Sequence, residues 1–478
     1  MTGQRKAYIV GAIVLFITAL FSKGYHHFDE HFQILEFASL KLSIAKQSDM
    51  PWEYFYKMRS AAQPAMVIII YRFFNLFSPP DPFIVATLTR ILSALISFLG
   101  IALALKTFLP QIQNPRLKQI MILLSFFTWF IVYNNVRFSS ENWSGNLFLI
   151  GLCISLSKTE NKWKRFFFAG CLMGLSFIFR FQSALLIFGF LVWMTFIQKE
   201  RISNITQLCL GIFLSAITGF LIDRWFYGEW TFTAWNYLNE NIIHNTRAAG
   251  FGIQPWYYYV TEVFSNSLPP FSIIYILAVV LFFFFYPKHI VTFILFPFLF
   301  VHIIIGHKEL RFLFPIMCYL PVMIVMVAEE AKRRWQLPKL LLPSTQIFVF
   351  AFWITNVVLL LVVIFRPADS LNPLYEKLYH QYKEPAILYY VNDNPYHRVL
   401  DIHFYKRPEL ELLQTTSIDS IKPEHNKKIL FFTTQYINPG NNRWHIVYSR
   451  MPAWVRKFDF NNWQERSNPA NLYELKTD

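Results

Sequence analysis

Charge is scarce in this sequence. Of 478 residues only 15% are charged, against 55% hydrophobic and 19% aromatic. Cysteine is scarcer still: Cys153, Cys171, Cys209 and Cys318 all fall in apolar segments, none at metal-ligand spacing. Neither a disulfide framework nor a zinc site is expected from that pattern. No internal repeat, low-complexity tract or cleavable signal is evident. "AYIVGAIVLFITALF" lacks a small-residue cleavage site and reads as a retained first helix. The formal charge of +15 would suit nucleic acid, but Lys and Arg concentrate in short loops between apolar runs. A membrane imposes that distribution on cytoplasmic loops, so no nucleic-acid partner is expected.

What is abundant is apolar runs of about 15 to 23 residues, the length that suits a bilayer core. They predict an all-α polytopic membrane protein with about eleven transmembrane helices. Their expected positions are roughly 7–23, 84–106, 118–134, 143–157, 166–180, 183–198, 204–222, 271–287, 289–305, 312–329 and 345–365. The stretch 64–78, "PAMVIIIYRFFNLFS", is too short for a span, carries Arg72, and reads as interfacial or re-entrant. Arg5 and Lys6 put the amino terminus in the cytoplasm, and alternation adds the basic loops 158–165, 198–201 and 329–339. By the same count the first loop 24–83, the turn 134–141, Arg180 with Gln182, the loop 223–270 and the cluster 306–311 emerge extracytoplasmically. Residues remote in sequence are thereby expected on one face. From about residue 366 the chain turns polar, with β-like runs such as "KKILFFTTQYI" and "RWHIVYSR" between Pro, Asn and Asp turns. The expected division is a membrane module, 1–365, and a small extracytoplasmic α+β domain, 366–478.

Two charged clusters stand out. "YHHFDEHFQILEFASLKLSI" places Asp29 and Glu30 just past the first helix. Ile34, Phe37, Leu40 and Ile44 recur at helical spacing while Glu36, Ser39 and Ser43 fall to another side, which predicts an amphipathic helix along the interface. The acids are then either a helix cap or a general base. "GHKELRFLFP" sets His307, Lys308, Glu309 and Arg311 between two apolar runs. Such a cluster is either a snorkelling collar or a functional site. Four ionisable residues of mixed sign in five positions exceed what anchoring requires.

"HHFDEHFQILEFA" resembles the first-loop motif of the dolichyl-phosphate-mannose-dependent mannosyltransferases, which belong to the GT-C membrane glycosyltransferases and build N-glycan precursors and glycosylphosphatidylinositol anchors. His27, Asp29, Glu30, Phe32, Gln33 and Glu36 match that motif, and Phe28 stands where the family has proline. Trp52, Glu53, Arg59, Ser60 and Pro64 resemble a second element, and "DRWFYGEWTFTAWNYLNEN", beginning at Asp223, resembles a third. "HKELRF" matches the family's His-Lys-Glu-x-Arg-Phe signature at every fixed position.

The resemblance implies a GT-C fold and an inverting hexosyltransferase that moves a sugar, expected to be mannose, from a polyprenyl-phosphate donor to a glycan or glycolipid hydroxyl. Such chemistry needs a carboxylate to take the acceptor's proton and donors to neutralise the departing phosphate. Asp29 is the first choice for the base, with Glu30 sharing that role or positioning the acceptor. His307, Lys308 and Arg311 suit the phosphate, Lys as a point charge and Arg as a planar fork, with Glu309 holding one of the cations. No cofactor is expected and metal is not required, although Asp29, Glu30 and His31 offer donors for a divalent cation. His27, Gln33, Glu53, Arg59 and Asp223 are supporting positions. Arg137 with Glu141, and Arg180 with Gln182, are interfacial anchors, intramembrane pairs or secondary ligands. Asp223 and Arg224 are read as pairing with water or each other, Asn236 and Asn241 as turn residues, and Trp256 to Tyr259 as an interfacial belt. The competing reading is a transporter or flippase of lipid-linked sugars, for which repeats and midplane charges would be expected. A receptor or scaffold would not need Asp29 or His307. A bacterial inner membrane is favoured over the endoplasmic reticulum, with the active face extracytoplasmic in both.

Overall fold

A computed structural model describes residues 3–158, 161–244, 252–335, 342–424, 426–435, 443–458, 460–467 and 469–476. Parts of the basic loops 158–165 and 329–339, and the end of the run 427–437, lie outside the described residues. The chain divides into two compact units. One comprises Met1–Ser22, Glu53–Ile69 and Ala86–Arg366; the other comprises Lys23–Trp52, Ile70–Val85 and Pro367–Asp478. The carboxy-terminal unit therefore also takes in most of the first loop, which the sequence reading assigned to the membrane module.

The first unit is a bundle of apolar helices. Gly3–Phe21, Pro82–Gln111, Ile202–Tyr227, Leu310–Arg334 and Gln346–Phe365 are long and apolar enough to cross a membrane, so the protein is a multi-pass membrane protein. Two bent pairs, Pro115–Phe127 with Trp129–Asn135 at 48° and Ser272–Phe285 with Ile290–Ile304 at 120°, raise that number to at most seven among the described residues. Each of the eleven expected segments is helical, but several fall short of a full span. Ser140–Ser155 has 16 residues, Ala184–Val192 only nine, and Lys162–Phe179 opens on Lys-Trp-Lys-Arg. The stretch read as interfacial is one 14-residue helix, Ala62–Asn75. At 1.5 Å per residue it is about 21 Å long, less than the hydrocarbon core.

Where a helix breaks inside the bundle, a side chain replaces the lost backbone bonds. At the 48° bend, Asn356 accepts from Trp129 N–H at 3.0 Å and donates to Phe127 O at 2.7 Å. Away from water such groups must be satisfied within the protein.

Small residues bring helices close. On each backbone, an added Cβ at Gly170 would lie 2.1 Å from Leu208 O, and one at Gly211 2.2 Å from Phe167 O. Gly170 and Gly174, four apart, face the row Gly211, Ser215 and Gly219, a small-xxx-small pairing of Lys162–Phe179 with Ile202–Tyr227. Gly145 does the same for Ser140–Ser155, because a Cβ there would meet Pro315 O at 2.4 Å.

In the second unit five strands form a mixed sheet: β1 (Ala386–Tyr390), β2 (Leu410–Gln414), β3 (Lys428–Thr433), β4 (Trp444–Ser449) and β5 (Asn471–Leu475), in the order β2-β1-β3-β5-β4. β1 runs parallel to both β2 and β3, while β5 is antiparallel to β3 and β4. Ile387, Ile429, Phe431 and Tyr473 form the core of one face. The helix Asn372–Gln381 is tied to its surroundings by Tyr375 Oη donating to Pro395 O at 2.6 Å.

A helix does follow Asp29, but its polar side does not face solvent as expected. Residues Phe28–Glu30 make one helical turn, His31–Glu36 a π-helical turn, and the helix ends at Lys41. Its polar residues are buried, Glu36 at 1% exposure and Ser39 at 0%. One carboxylate oxygen of Glu36 meets His31 Nε2 at 2.8 Å and accepts the backbone N–H groups of His403 and Phe404 at 2.9 and 3.0 Å. Those bonds draw the polar side of this segment inward.

Replacing Gly211 by Leu should force the two glycine-packed helices apart at a cost of about 1–3 kcal/mol, the usual scale of overpacking. Leu210→Ala, at a half-exposed neighbour, should change stability by no more than about 0.5 kcal/mol. Thermal unfolding of both variants in one detergent checks this; equal midpoints would mean the helices are not in contact.

Candidate functional site

The helix Ser140–Ser155 begins with an ordinary cap, Ser139 Oγ accepting from Asn142 N–H at 3.2 Å. This fixes Glu141 in the first turn at 3% exposure. Its carboxylate receives Arg180 Nη1 at 2.7 Å and Arg311 Nη1 at 3.3 Å. Arg180 stands at the carboxyl end of Lys162–Phe179, and Arg311 in the 3₁₀ segment Leu310–Tyr319. One buried carboxylate therefore ties three elements together. The approach of Pro315 to Gly145 sets the spacing that allows it.

Around this centre the 307–312 motif folds on itself. Glu309 takes Arg311 through Nε at 2.5 Å and Nη2 at 3.1 Å, a bidentate pair, and meets His307 Nε2 at 3.0 Å. Phe312 lies between the two guanidiniums, 5.1 Å from Arg180 and 5.5 Å from Arg311. Lys308 differs. Only 4% exposed, it donates to two carbonyls, Gln254 O at 2.9 Å and Ile305 O at 2.6 Å, and has no carboxylate ion pair among the described residues. Burial pushes its ammonium below the ordinary lysine range.

Several expected partners are corrected. Arg180 pairs with Glu141, not Gln182, whose amide bonds Tyr237 Oη. Arg137 is 1% exposed and donates to the Ser22 and Tyr133 carbonyls, with its guanidinium over the Tyr133 ring; it braces backbone. Asp223 does not pair with Arg224. It is 3% exposed and accepts from Ala61 N–H at 2.7 Å, Thr233 Oγ1 at 2.6 Å and Ser60 Oγ at 3.3 Å. The second and third motif elements are thus joined at one carboxylate. Arg59 lies 3.9 Å from Glu53 and over the Tyr237 ring. Asn236 and Asn241 are not turn residues: both lie in helical segments, Asn236 donating to the distant Lys57 O and Asn241 to Tyr237 O one turn back. Of the aromatic run, Trp256 and Tyr257 are exposed but Tyr259 is buried.

In the second unit, the cap of the turn Phe28–Glu30 is His27, whose Nδ1 accepts the Asp29 N–H at 3.2 Å. Asp29 is not itself the cap, and its side chain keeps 24% exposure. Glu30 accepts the His26 N–H at 3.3 Å. Gln33 follows inside the π turn, partly buried. His31 does not complete a metal-binding trio with the two acids, because its ring is buried against Glu36 and stacked on Tyr405. Among the described residues no three His, Cys, Asp or Glu side chains are grouped to hold a metal ion. Sequence reasoning missed Ser60, Thr233, Tyr237 and Phe312 as partners. Phe312 was signalled by its fixed place in the motif.

The family model described as "Alg9-like mannosyltransferase family" matches residues 6–413. The GPI alpha-1,2-mannosyltransferase 3 of Mus musculus is 26% identical over 301 residues, 60% of this chain and 52% of that protein. Mannosyltransferase APTG1 of Arabidopsis thaliana is 25% identical over 316 residues, 63% of this chain and 54% of its own. The chain spans about half the length of these curated relatives. Its fold is similar to that of ArnT from Cupriavidus metallidurans solved bound to undecaprenyl phosphate, with a TM-score of 0.54 at 12% identity over 99% of this chain and 98% of that one.

Glu141→Gln leaves two buried guanidiniums around a neutral amide. Breaking a buried ion pair from one side costs about 3–5 kcal/mol, so the unfolding midpoint should fall sharply. Adding Arg180→Gln should recover part of the loss. A double variant less stable than the sum of the singles would show that the pair is not the source.

Proposed function

The chain belongs to the Alg9-like mannosyltransferase family, and from that premise we propose that it transfers mannose from a polyprenyl-phosphate donor to a hydroxyl of a glycan or glycolipid. The observation that carries this reading is Lys308, a buried cation without a carboxylate counter-ion among the described residues, set in a motif that also presents His307 and Arg311. Among the described residues Lys308, Arg311 and Arg180 stand against the two carboxylates Glu309 and Glu141, three fixed cations to two anions. A lipid phosphate supplies the matching anion, and the solved ArnT complex carries undecaprenyl phosphate on a similar fold.

Asp29 is the base in this reading. Its cap is provided by His27, so the carboxylate is not needed to terminate the helix. The acceptor oxygen attacks the anomeric carbon as Asp29 removes its proton. The sugar–phosphate bond breaks with inversion, and the bonding pair leaves on the phosphate, whose charge Lys308 and Arg311 stabilise. The reaction faces the extracytoplasmic side of a bacterial inner membrane or the lumen of the endoplasmic reticulum, the side opposite the basic loops. A transporter reading has no counterpart in the comparisons.

Transfer from synthetic polyprenyl-phosphate mannose by purified protein tests the proposal. Asp29→Asn should lower turnover by roughly a hundredfold or more with donor affinity nearly unchanged, whereas Lys308→Ala should weaken both together. Near-normal turnover in Asp29→Asn would move the base to Glu30 or another carboxylate. Donor affinity should also fall as pH rises through the depressed Lys308 pKa, since only the ammonium attracts phosphate. Lys308→Arg should flatten that dependence, because arginine stays charged.

Metal is not required in this proposal, as Lys308 and Arg311 carry the leaving charge. Turnover should persist in excess EDTA. Loss of activity that manganese or magnesium restores would assign the carboxylates to a divalent ion instead.

A further inference from the structure

The three parallel strands of the second unit end together. Tyr390 of β1 stands in register with Gln414 of β2 and with Phe432 of β3. Beyond them the chain opens into the loop Asn392–Val399, and a cleft of about 810 Å³ lies at this carboxyl edge. In sheets with parallel strands, ligands seat outside the carboxyl ends, where the connections diverge. The volume falls within the range of small-molecule sites.

The lining indicates the class of ligand. Asn392, Asn394 and Gln414 contribute amides, each with donors and an acceptor, which suits hydroxyl groups that both donate and accept. Tyr390 and Phe28 add aromatic faces for the apolar side of a sugar ring. Among the described lining residues the charges of Asp393 and Arg398 offset one another. The cleft is open and polar, unsuited to a polyprenyl tail. Asp393 is already oriented, accepting from Thr434 Oγ1 at 2.6 Å, and Thr415 N–H holds the end of β1 through Tyr390 O at 2.9 Å. Phe28, on its wall, immediately precedes Asp29 in the same unit.

We infer that this cleft binds a hexose unit of the acceptor glycan and presents it beside Asp29. The inference rests on the transferase reading for the word acceptor, but not for sugar binding itself.

Full-length protein in detergent, probed with mannotriose by saturation-transfer NMR, separates the two. Gln414 is an exposed strand-end residue, so Gln414→Trp should fill the cleft and Gln414→Ala should remove an amide without unfolding the chain. Wild type should bind mannotriose. Both variants should bind at least about tenfold more weakly, the scale of one or two lost hydrogen bonds. In the transfer assay they should raise the acceptor KM by a similar factor, with donor KM and kcat at saturating acceptor unchanged. No mannotriose binding by the wild type, or equal binding by Gln414→Trp, overturns the inference. Cleft-dependent binding in a protein that transfers nothing from polyprenyl-phosphate mannose keeps the sugar site and overturns the transferase reading alone. Variants that lower kcat with acceptor KM unchanged would place Gln414 in scaffolding, and the inference would fall.

Discussion

The membrane unit depends on how the Glu141 carboxylate is shared. Charges inside an apolar bundle are costly unless paired and hydrogen-bonded. Glu141 resolves two such costs together by accepting both Arg180 and Arg311. Neither arginine is close to it in sequence, so the contact exists only when three elements are already packed. Packing in turn needs Gly145, where any side chain would collide with Pro315 O. Electrostatics and close packing therefore constrain the same few residues.

A different constraint shapes the second unit. Much of the first loop folds with the carboxy-terminal sheet because Glu36 accepts two backbone N–H groups, those of His403 and Phe404. A 3.6-residue period puts Glu36 on the polar side of a surface helix. The π turn His31–Glu36 has a different period, closing bonds between residues five apart, and it brings His31 onto Glu36. No composition signal announces a π turn. The expected solvated polar side was wrong for that reason, and the stretch falls in the same compact unit as the carboxy-terminal sheet.

What the sequence made legible follows the same division. The apolar runs fixed the helical class, because length and hydropathy are local properties that a bilayer constrains directly. The motif at 307–312 was legible as a charged cluster, because its charges are adjacent in sequence. Their pairings were not. Glu141 was set beside Arg137, and Arg180 beside Gln182, on proximity along the chain, whereas the partners come from other helices. Asp223 was read as pairing with water or with its neighbour Arg224 for the same reason. Its buried acceptor role joins Ser60 and Ala61 to Thr233, more than 160 residues apart in the chain for the first two. The span count was less legible still. Helices such as Ser140–Ser155 stop where their polar ends meet one another inside the protein, so length no longer reports membrane thickness.

The charges of the 307–311 motif are not equivalent, and the difference is physical. Arg311 is held in a fork by Glu309 and reaches Glu141, so its charge is balanced within the protein. Among the described residues Lys308 is held only by carbonyl dipoles. Two carbonyls can orient an ammonium, but they do not neutralise it, and the lowered pKa reflects that incomplete solvation. Replacing Lys308 by an apolar residue would relieve this cost, so its burial is not explained by folding. In the proposed reaction an incoming phosphate would remove the imbalance, and the same attraction would grow as the leaving group gains charge. A guanidinium already neutralised by carboxylates offers geometry for that anion; the lysine offers the net charge. Under the proposed function the motif would use both, because binding a phosphate and stabilising it as it departs place different demands on one small site.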